Sequence, residues 1–206
     1  MQNFVRSVKS HLWATRTFRR MSVTEKLTYL YLLTSGATSD TSVYVLPLDY
    51  AALEIGVSVE EMEEIIRRFE KLGLVVYDWE QEEICVLDYF IYGTTPSGGL
   101  NYEMYAKDLD KIQNKALIEI VANAARKTDI TIAFFAALQE FLPSLDQDEY
   151  RIRKTDKTVD DIKSAAKRGR TKIKKKQAER SYSSNDTSED SSEDVPKDDV
   201  LDELPF

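Results

Sequence analysis

The first half of the chain alternates between a helical and an extended hydrophobic pattern. Apolar residues spaced three or four positions apart predict helices over about 23–34 and 59–72, with a shorter helix over 48–55. Two capping boxes, Ser22-Val23-Thr24-Glu25 and Ser58-Val59-Glu60-Glu61, mark the starts of the longer helices. Glycines suited to a left-handed backbone follow the three helices, at Gly36, Gly56 and Gly73.

The segments between these helices are rich in β-branched and aromatic residues. "SVYVL" (42–46), "LVVYD" (74–78) and "EICVLDYF" (83–90) are predicted as strands, the last two around the polar turn "WEQE". The order helix, strand, helix, helix, strand, turn, strand is that of a winged helix-turn-helix domain. We therefore expect a mainly α chain with a small β wing, and a winged-helix domain over residues 1–92.

The second half is predicted to be helical. A Gly- and Pro-rich linker spans 93–100 and is followed by a helical segment over 101–145. Asn101 is expected to cap a helix over about 102–126, and Asp129 a second one that ends at Pro143. Two helices cannot bury all the apolar side chains of this segment. They pack either on the winged helix or on another copy of the chain, which would make a homo-oligomer.

Charge is segregated near the end of the chain, whose net charge is -8. Residues 151–180 carry 13 Lys and Arg against 4 Asp and Glu, whereas residues 181–206 carry 1 Lys and 9 Asp and Glu. Such blocks are typical of disordered interaction arms. We predict a basic arm over 146–180 and an acidic disordered tail over 181–206. A solvated linker, or pairing of the arm with the tail, is the alternative to nucleic-acid binding by the arm. The predicted phosphate contacts of the arm are Lys167, Arg168, Arg170, Lys172, Lys174, Lys175 and Lys176.

Composition narrows the possible chemistry. Cys85 is the single cysteine and His11 the single histidine, which leaves no disulfide framework and no Cys/His metal site. The sequence has no P-loop motif, no signal-peptide pattern and no apolar run of membrane-spanning length. We expect a soluble cytoplasmic protein without membrane partner, cofactor or metal, and not an enzyme.

At this level of detail the chain resembles a known family. "EKLTYLYLLTSGATSDTSVYVLPLDYAALEIGVSVEEMEEIIRRFEKLGLVVYD…ICVLDYF" is similar to the N-terminal domain of replisome organiser (replication initiation) proteins of phages of Gram-positive bacteria, whose architecture is DnaD-like. The resemblance rests on an aromatic-leucine helix, a short strand before Pro47, the "ALEIGVS" turn and a Leu-Gly-Leu hinge, over roughly residues 10–95. It implies binding to a phage origin, recruitment of the replicative helicase or its loader, and a bacterial host cell.

The surface that would meet DNA departs from the usual helix-turn-helix pattern. The start of the second helix is acidic, which repels phosphates and equally suits the positive end of a helix dipole. The acidic residues are Glu60, Glu61, Glu63 and Glu64. Basic candidates for DNA contact lie one or two turns later and also in a segment before the first helix that contains Trp13 and Phe18. Those one or two turns later are Arg67, Arg68 and Lys71. Those in the segment are Arg6, Lys9, His11, Arg16, Arg19 and Arg20, interleaved with Phe4, Trp13 and Phe18. The alternative is that Trp13 and Phe18 pack in the core beside solvated arginines.

The last residues carry the most specific motif. Asp202, Glu203, Leu204, Pro205 and Phe206 resemble the C-terminal tip of bacterial single-stranded-DNA-binding protein, an acidic stretch ending in Ile or Leu, Pro and Phe. The phenyl ring can fill an apolar pocket while the acids meet a basic rim. The resemblance implies binding to host proteins that read this tip, such as primase, the restart helicase or the helicase loader. A chance ending, or docking on the chain's own core, is the alternative.

Together these features predict a phage-type replication initiation protein. It would bind origin or single-stranded DNA and recruit host replication proteins through its mimic of the single-strand-binder tip. A winged-helix transcriptional regulator, and an adaptor that sequesters host replication factors without binding DNA, are the alternatives.

Overall fold

A computed structural model describes residues 6–94, 102–153, 155, 157–168 and 171. The chain divides into two units, Met1–Ala166 and Lys167–Phe206, and the first is mainly helical with a small antiparallel sheet. The helices are a 3-10 helix (Ser10–Ala14), α1 (Arg16–Arg20), α2 (Val23–Thr34), α3 (Leu48–Ile55), α4 (Val59–Lys71), α5 (Tyr89–Tyr92), α6 (Tyr102–Asp110), α7 (Lys115–Ala125), α8 (Ile132–Phe141), a 3-10 turn (Gln147–Glu149) and α9 (159–168). The strands are β1 (Ser7–Val8), β2 (Val43–Val45), β3 (Val75–Asp78), β4 (Glu83–Val86), β5 (Gly93–Thr94), β6 (Asp129–Ile130) and β7 (Arg151–Ile152). None of the helices in these described residues has the length and apolar character that crossing a membrane requires.

The three helices predicted in the first half, α2, α3 and α4, begin and end within one residue of the predicted bounds. Ser22 Oγ accepts from the Glu25 amide at 3.1 Å and the Ser22 amide donates to the Glu25 carboxylate at 2.6 Å, which completes the first capping box. At the second box, Ser58 Oγ accepts from the Glu61 amide at 3.2 Å. Gly56 and Gly73 end α3 and α4 with φ of 84° and 68°, a backbone conformation that costs glycine little. The prediction of a left-handed Gly36 after α2 is wrong, because α2 ends in extended backbone at Ser35 and Gly36 has no positive φ.

The three longer strands form one antiparallel sheet in the order β2-β4-β3. Its two faces belong to two different cores. Tyr44, Ile84 and Tyr77 point into a core shared with α2, α3 and α4, whereas Val43 and Cys85 point into a core shared with α6, α7 and α8. The sheet is therefore the middle layer of a helix–sheet–helix sandwich, with the central strand β4 buried throughout.

The predicted strand over 83–90 is wrong in its second half. The strand ends at Val86, and the Asp88 carbonyl accepts from the amides of Ile91 and Tyr92, which starts α5. The buried Tyr89 hydroxyl donates to Asp40 at 2.7 Å. This distant side-chain contact holds the turn, so the two-residue period of the sequence did not reveal it.

The predicted single helix over 102–126 is also wrong. The chain forms α6 and α7 with a break over 111–114. The buried Glu83 carboxylate accepts from the amides of Gln113 at 2.7 Å and Asn114 at 3.0 Å. Asn114 Oδ1 then caps α7 by accepting from the Ala116 amide. The apolar residues of α6 and α7 pack into the same core, so the spacing of apolar residues in the sequence does not reveal the break. Asn101, the predicted cap, lies outside the described residues.

The second predicted helix starts later than expected. Thr131 caps α8 by accepting from the Phe134 amide at 3.2 Å, while Asp129, the predicted cap, lies in β6 and pairs with Arg151 of β7. The apolar side chains of α8 pack against α6 within the same chain, with Phe135 and Leu138 fully buried. Packing on the rest of the chain is thus observed, and a homo-oligomer stays a prediction.

Ordered structure extends into the region predicted as the basic arm. Thr158 caps α9 by accepting from the Asp161 amide, and the Thr158 amide and hydroxyl donate to the Asp161 carboxylate. Val159, Ile162 and Ala166 pack against the second core. The arm therefore begins inside the folded unit, because a capping box and one apolar helix face precede the dense lysines.

Replacing Glu83 with Gln should destabilise the fold by about 2 kcal/mol. Glutamine offers one acceptor and turns its NH2 group toward an amide donor, so one of the two bonds to residues 113–114 is lost. Urea unfolding followed by circular dichroism measures the loss. The control is Glu82→Gln on the exposed turn next to it, where we expect a change within about 0.5 kcal/mol. Equal midpoints for the two variants would contradict this role of Glu83.

Candidate nucleic-acid interface

A row of aromatic rings runs from the N-terminal segment into the first core. Trp13 meets Phe18 edge-on with ring centroids 5.0 Å apart, Phe18 lies 6.2 Å from Tyr29, and Tyr29 lies 5.7 Å from Phe69 of α4. Phe18 is only 1% exposed, whereas Trp13 is 56% exposed. Burial raises the pKa of Tyr29 above its usual value, so its hydroxyl stays protonated. The row fixes α1 to the core and leaves the Trp13 ring at the surface.

The basic side chains of α1 lie on the helix whose Phe18 contacts this exposed ring. Arg16, Arg19 and Arg20 are exposed, and within the described residues none of them forms an ion pair. Thr15 caps the helix by accepting from the Phe18 amide at 3.3 Å. The core alternative therefore applies to Phe18, whereas Trp13 and these three arginines lie at the surface. Arg6, at the start of the same predicted segment, is partly buried and pairs with Asp40 at 2.8 Å, and Phe4 lies outside the described residues.

One carboxylate joins α4 to the start of α2. Glu25, whose side chain is 6% exposed, accepts from the Ser22 amide with one oxygen and lies 2.9 Å from Arg68 Nη1 with the other. Ser22 follows Arg20 by two residues, so Arg68 is fixed close in the fold to the end of α1. The basic residues of two elements are thus held at the same end of α2.

The polar side of α4 changes sign along its length. Glu60, Glu61 and Glu64 are exposed in its first half. Hydrogen bonds from its own backbone amide and from Ser58 lower the pKa of Glu60, which keeps it negative at neutral pH. Arg67, Arg68 and Lys71 are exposed in the second half. Only this second half offers a surface that attracts phosphate.

Trp79 is a surface aromatic residue that the sequence did not single out. Its ring lies under the Arg67 guanidinium, 3.8 Å from ring centroid to Cζ, and Tyr77 meets it edge-on at 4.8 Å. Arg67 also lies 3.4 Å from Glu63. Trp79 sits in the β3–β4 turn, and nothing in the spacing of the sequence places that turn beside α4. A tryptophan among charged turn residues was the one available signal.

The other side of the same hairpin is attached to the second half of the protein. The Asp78 carboxylate accepts from the amides of Glu80 and Gln81 and, at 2.6 Å, from Asn114 Nδ2. These bonds, led by the Gln81 amide, lower the pKa of Asp78. The hairpin is therefore attached on this side to the start of α7, and its turn residues 79–82 are exposed.

The remaining chemical features are Cys85 and the residue types that can bind metal ions. Cys85 is buried, and burial raises the pKa of its thiol to about 12, so it stays protonated as a core residue. In the part of the chain that the structure describes, no group of three or more His, Cys, Asp or Glu side chains is arranged to hold a metal ion.

Most of the predicted phosphate contacts of the basic arm, and the whole predicted acidic tail, lie beyond the described residues. Lys167 and Arg168 are exposed on α9. The remaining predicted contacts of the arm and the tip fall outside the described residues: Arg170, Lys172, Lys174, Lys175, Lys176, Asp202, Glu203, Leu204, Pro205 and Phe206.

No protein-family model, curated protein or solved structure matches this chain. The likeness to replisome organisers therefore stays an expectation carried by the residues quoted above. What the protein does is inferred from its side chains and their surroundings.

Truncating the two ends of the aromatic row should have very different effects on stability. Phe18→Ala removes a buried ring and should cost about 4 kcal/mol of unfolding free energy. Trp13→Ala removes an exposed ring and should cost about 1 kcal/mol. Urea unfolding of both variants, read by circular dichroism, checks the difference. A large loss for Trp13→Ala would mean that this ring supports the core and is not a free surface group.

Proposed function

We propose that this protein is a phage-type DNA replication initiation protein that binds DNA and recruits host replication proteins. In this proposal residues 1–92 form a winged helix-turn-helix domain. The order α2, β2, α3, α4, β3, β4 and the sheet order β2-β4-β3 support that assignment. The helical segment and sheet are then the scaffold that positions the DNA-binding surface.

The observation that carries the DNA-binding proposal is the contact between Glu25 and Arg68. It holds the basic half of α4 next to the end of α1, so that two sets of exposed arginines and Lys71 lie on neighbouring elements. Trp13 and Trp79 add exposed rings beside them. Cationic groups that track a phosphate backbone, together with rings that stack on bases, are the chemistry of single-strand binding. In this proposal the acidic first half of α4 does not contact the bound DNA.

The basic arm would strengthen this contact without adding sequence preference. Lys167 and Arg168 begin it, and the other predicted basic residues up to Lys176 continue it. Each neutralised phosphate releases counterions, so affinity should fall steeply as salt rises.

Recruitment is assigned to residues 202–206. The pattern Asp-Glu-Leu-Pro-Phe combines acids for a basic rim with a ring for an apolar pocket. Host proteins that read the tip of the single-strand binder, such as primase, the restart helicase or the helicase loader, are the proposed partners.

A second candidate is an adaptor that sequesters host replication factors without touching DNA. The acidic start of α4 favours it, as do the contacts that Arg67 and Arg68 already make with Glu63 and Glu25. The two candidates share the tip and differ in DNA binding, so one measurement separates them.

The triple variant Arg16→Gln, Arg19→Gln, Arg20→Gln should bind single-stranded DNA at least about tenfold more weakly than the parent. Its plot of log affinity against log salt should also be shallower by about 2, since each lost phosphate contact on a single strand removes roughly 0.7. Fluorescence anisotropy of a labelled oligonucleotide across a salt series measures both quantities.

The matched control removes three exposed lysines from the second half, Lys107→Gln, Lys115→Gln and Lys127→Gln. We expect it to retain most of the affinity. An equal loss of DNA affinity in both triple variants would mean that only the net charge of the protein matters and not the position of the arginines. Unchanged binding in the arginine triple would leave the α1 surface without a role, and no binding by the parent would favour the adaptor.

Phe206→Ala should abolish binding to tip-reading host proteins and leave DNA affinity unchanged, because ring and acids act outside the DNA-binding surface. Surface plasmon resonance with purified primase and restart helicase tests this. Leu201→Ala, one residue before the motif, is the control and should bind as the parent does. Retained binding in Phe206→Ala sinks the mimicry proposal.

A further inference from the structure

A cavity of about 320 Å³ opens between the N-terminal segment and the start of α8. One side is aromatic: Phe134 lies 5.2 Å from Phe90 and 4.9 Å from Tyr105 between ring centroids, and all three rings line the cavity. Phe90 is partly exposed. The volume is at the lower end of the range for small-molecule sites, so it admits one small ligand with a ring and a polar group.

Two cations from different segments, Lys9 and Arg153, line this cavity with uncommitted side chains. The Lys9 amide donates to the Tyr92 carbonyl at 2.8 Å and the Arg153 amide donates to the Ile130 carbonyl at 2.8 Å, so both backbones are fixed. Both side chains are exposed, and within the described residues neither makes an ion pair or a side-chain hydrogen bond. A ligand with negative charge can therefore reach both without displacing a protein partner.

The two carboxylates in the cavity wall are already matched by arginines. Asp40 accepts from Arg6 at 2.8 Å and from the Tyr89 hydroxyl at 2.7 Å. Asp129 lies 3.7 Å from Arg151 Nε. With these acids paired, the charge that Lys9 and Arg153 present to the cavity is positive.

Hydroxyl groups complete the polar side. Thr128 Oγ1 is buried and has no hydrogen-bond partner among the described residues, although it lines the cavity. A buried hydroxyl without a partner is costly, and a ligand oxygen would satisfy it. Thr131 caps α8 at the same wall, where the positive end of a ten-residue helix favours an anion.

We propose that this cavity binds a single nucleoside phosphate. The phosphate lies between Lys9 and Arg153 near the start of α8, and the base packs against the aromatic side formed by Phe90. The nucleotide is either a free mononucleotide or one unit of a DNA strand, because both present the same phosphate, sugar and base. None of these residues belongs to the DNA-binding surface of α1 and α4, so the site stands whether or not that surface binds DNA.

Isothermal titration calorimetry of the full chain with thymidine monophosphate and deoxyadenosine monophosphate tests the site. Lys9→Gln and Arg153→Gln should each weaken binding about tenfold, since each removes one charge-assisted contact. Thr128→Val, which keeps the shape and removes the hydroxyl, should weaken it by a smaller factor. Lys107→Gln, an exposed cation that does not line the cavity, should bind as the parent does. Thermal melts confirm that each variant is folded.

Three further ligands test the contribution of the base, the contribution of the phosphate and the source of the nucleotide. Thymidine and inorganic phosphate should each bind at least about tenfold more weakly than the mononucleotide, because each lacks one half of the contacts. A ten-nucleotide strand that displaces the mononucleotide identifies DNA as the source, and a strand that does not displace it identifies the free nucleotide. Absence of mononucleotide binding at millimolar concentration, equal binding of inorganic phosphate, or unchanged binding in both glutamine variants would overturn the proposal.

Discussion

The carboxylate of Glu83 is the constraint on which the rest of the structure depends. It sits in the middle strand of the sheet with no exposed surface, and its oxygens accept from the amides of the two residues just before α7. An unpaired buried charge would be very costly, so sheet and helix can separate only together with solvation of this group. The contact breaks the long helical segment in two and closes the second core over Val43 and Cys85. Through these hydrogen bonds Glu83 holds the second set of helices against the sheet, which is therefore the middle layer between two layers of helices.

That arrangement also decides which surfaces remain for partners. The hairpin between β3 and β4 is attached on one side through Asp78 and Asn114, and its exposed turn presents Trp79 together with Glu80, Gln81 and Glu82. The start of α4 presents acids, and its second half presents arginines beside α1. A binding surface of this protein is therefore composite, with contributions from α1, the end of α4 and one edge of the hairpin.

The features that could be predicted from the sequence are those fixed by residues close together along the chain. The Ser22–Glu25 box and the glycines after α3 and α4 lie where the patterns indicated, because each depends on neighbours within four residues. The break at 111–114, the end of β4 at Val86 and the stacking of Arg67 on Trp79 were not predicted, because each is made by a residue 12 or more positions away. The candidate arginines of α1 were found, whereas the Glu25 contact that places Arg68 near them was not.

The two tryptophans have a consequence for any optical study of this molecule. Tryptophan emission is ordinarily a reporter of the core, but here both indoles lie at or near the surface, Trp13 at 56% exposure and Trp79 at 36%. The rings buried in the two cores are phenylalanine and tyrosine. The native protein should already emit at long wavelength, so its intrinsic fluorescence would be a weak signal of unfolding and a direct signal of whatever settles on α1 or on the hairpin edge.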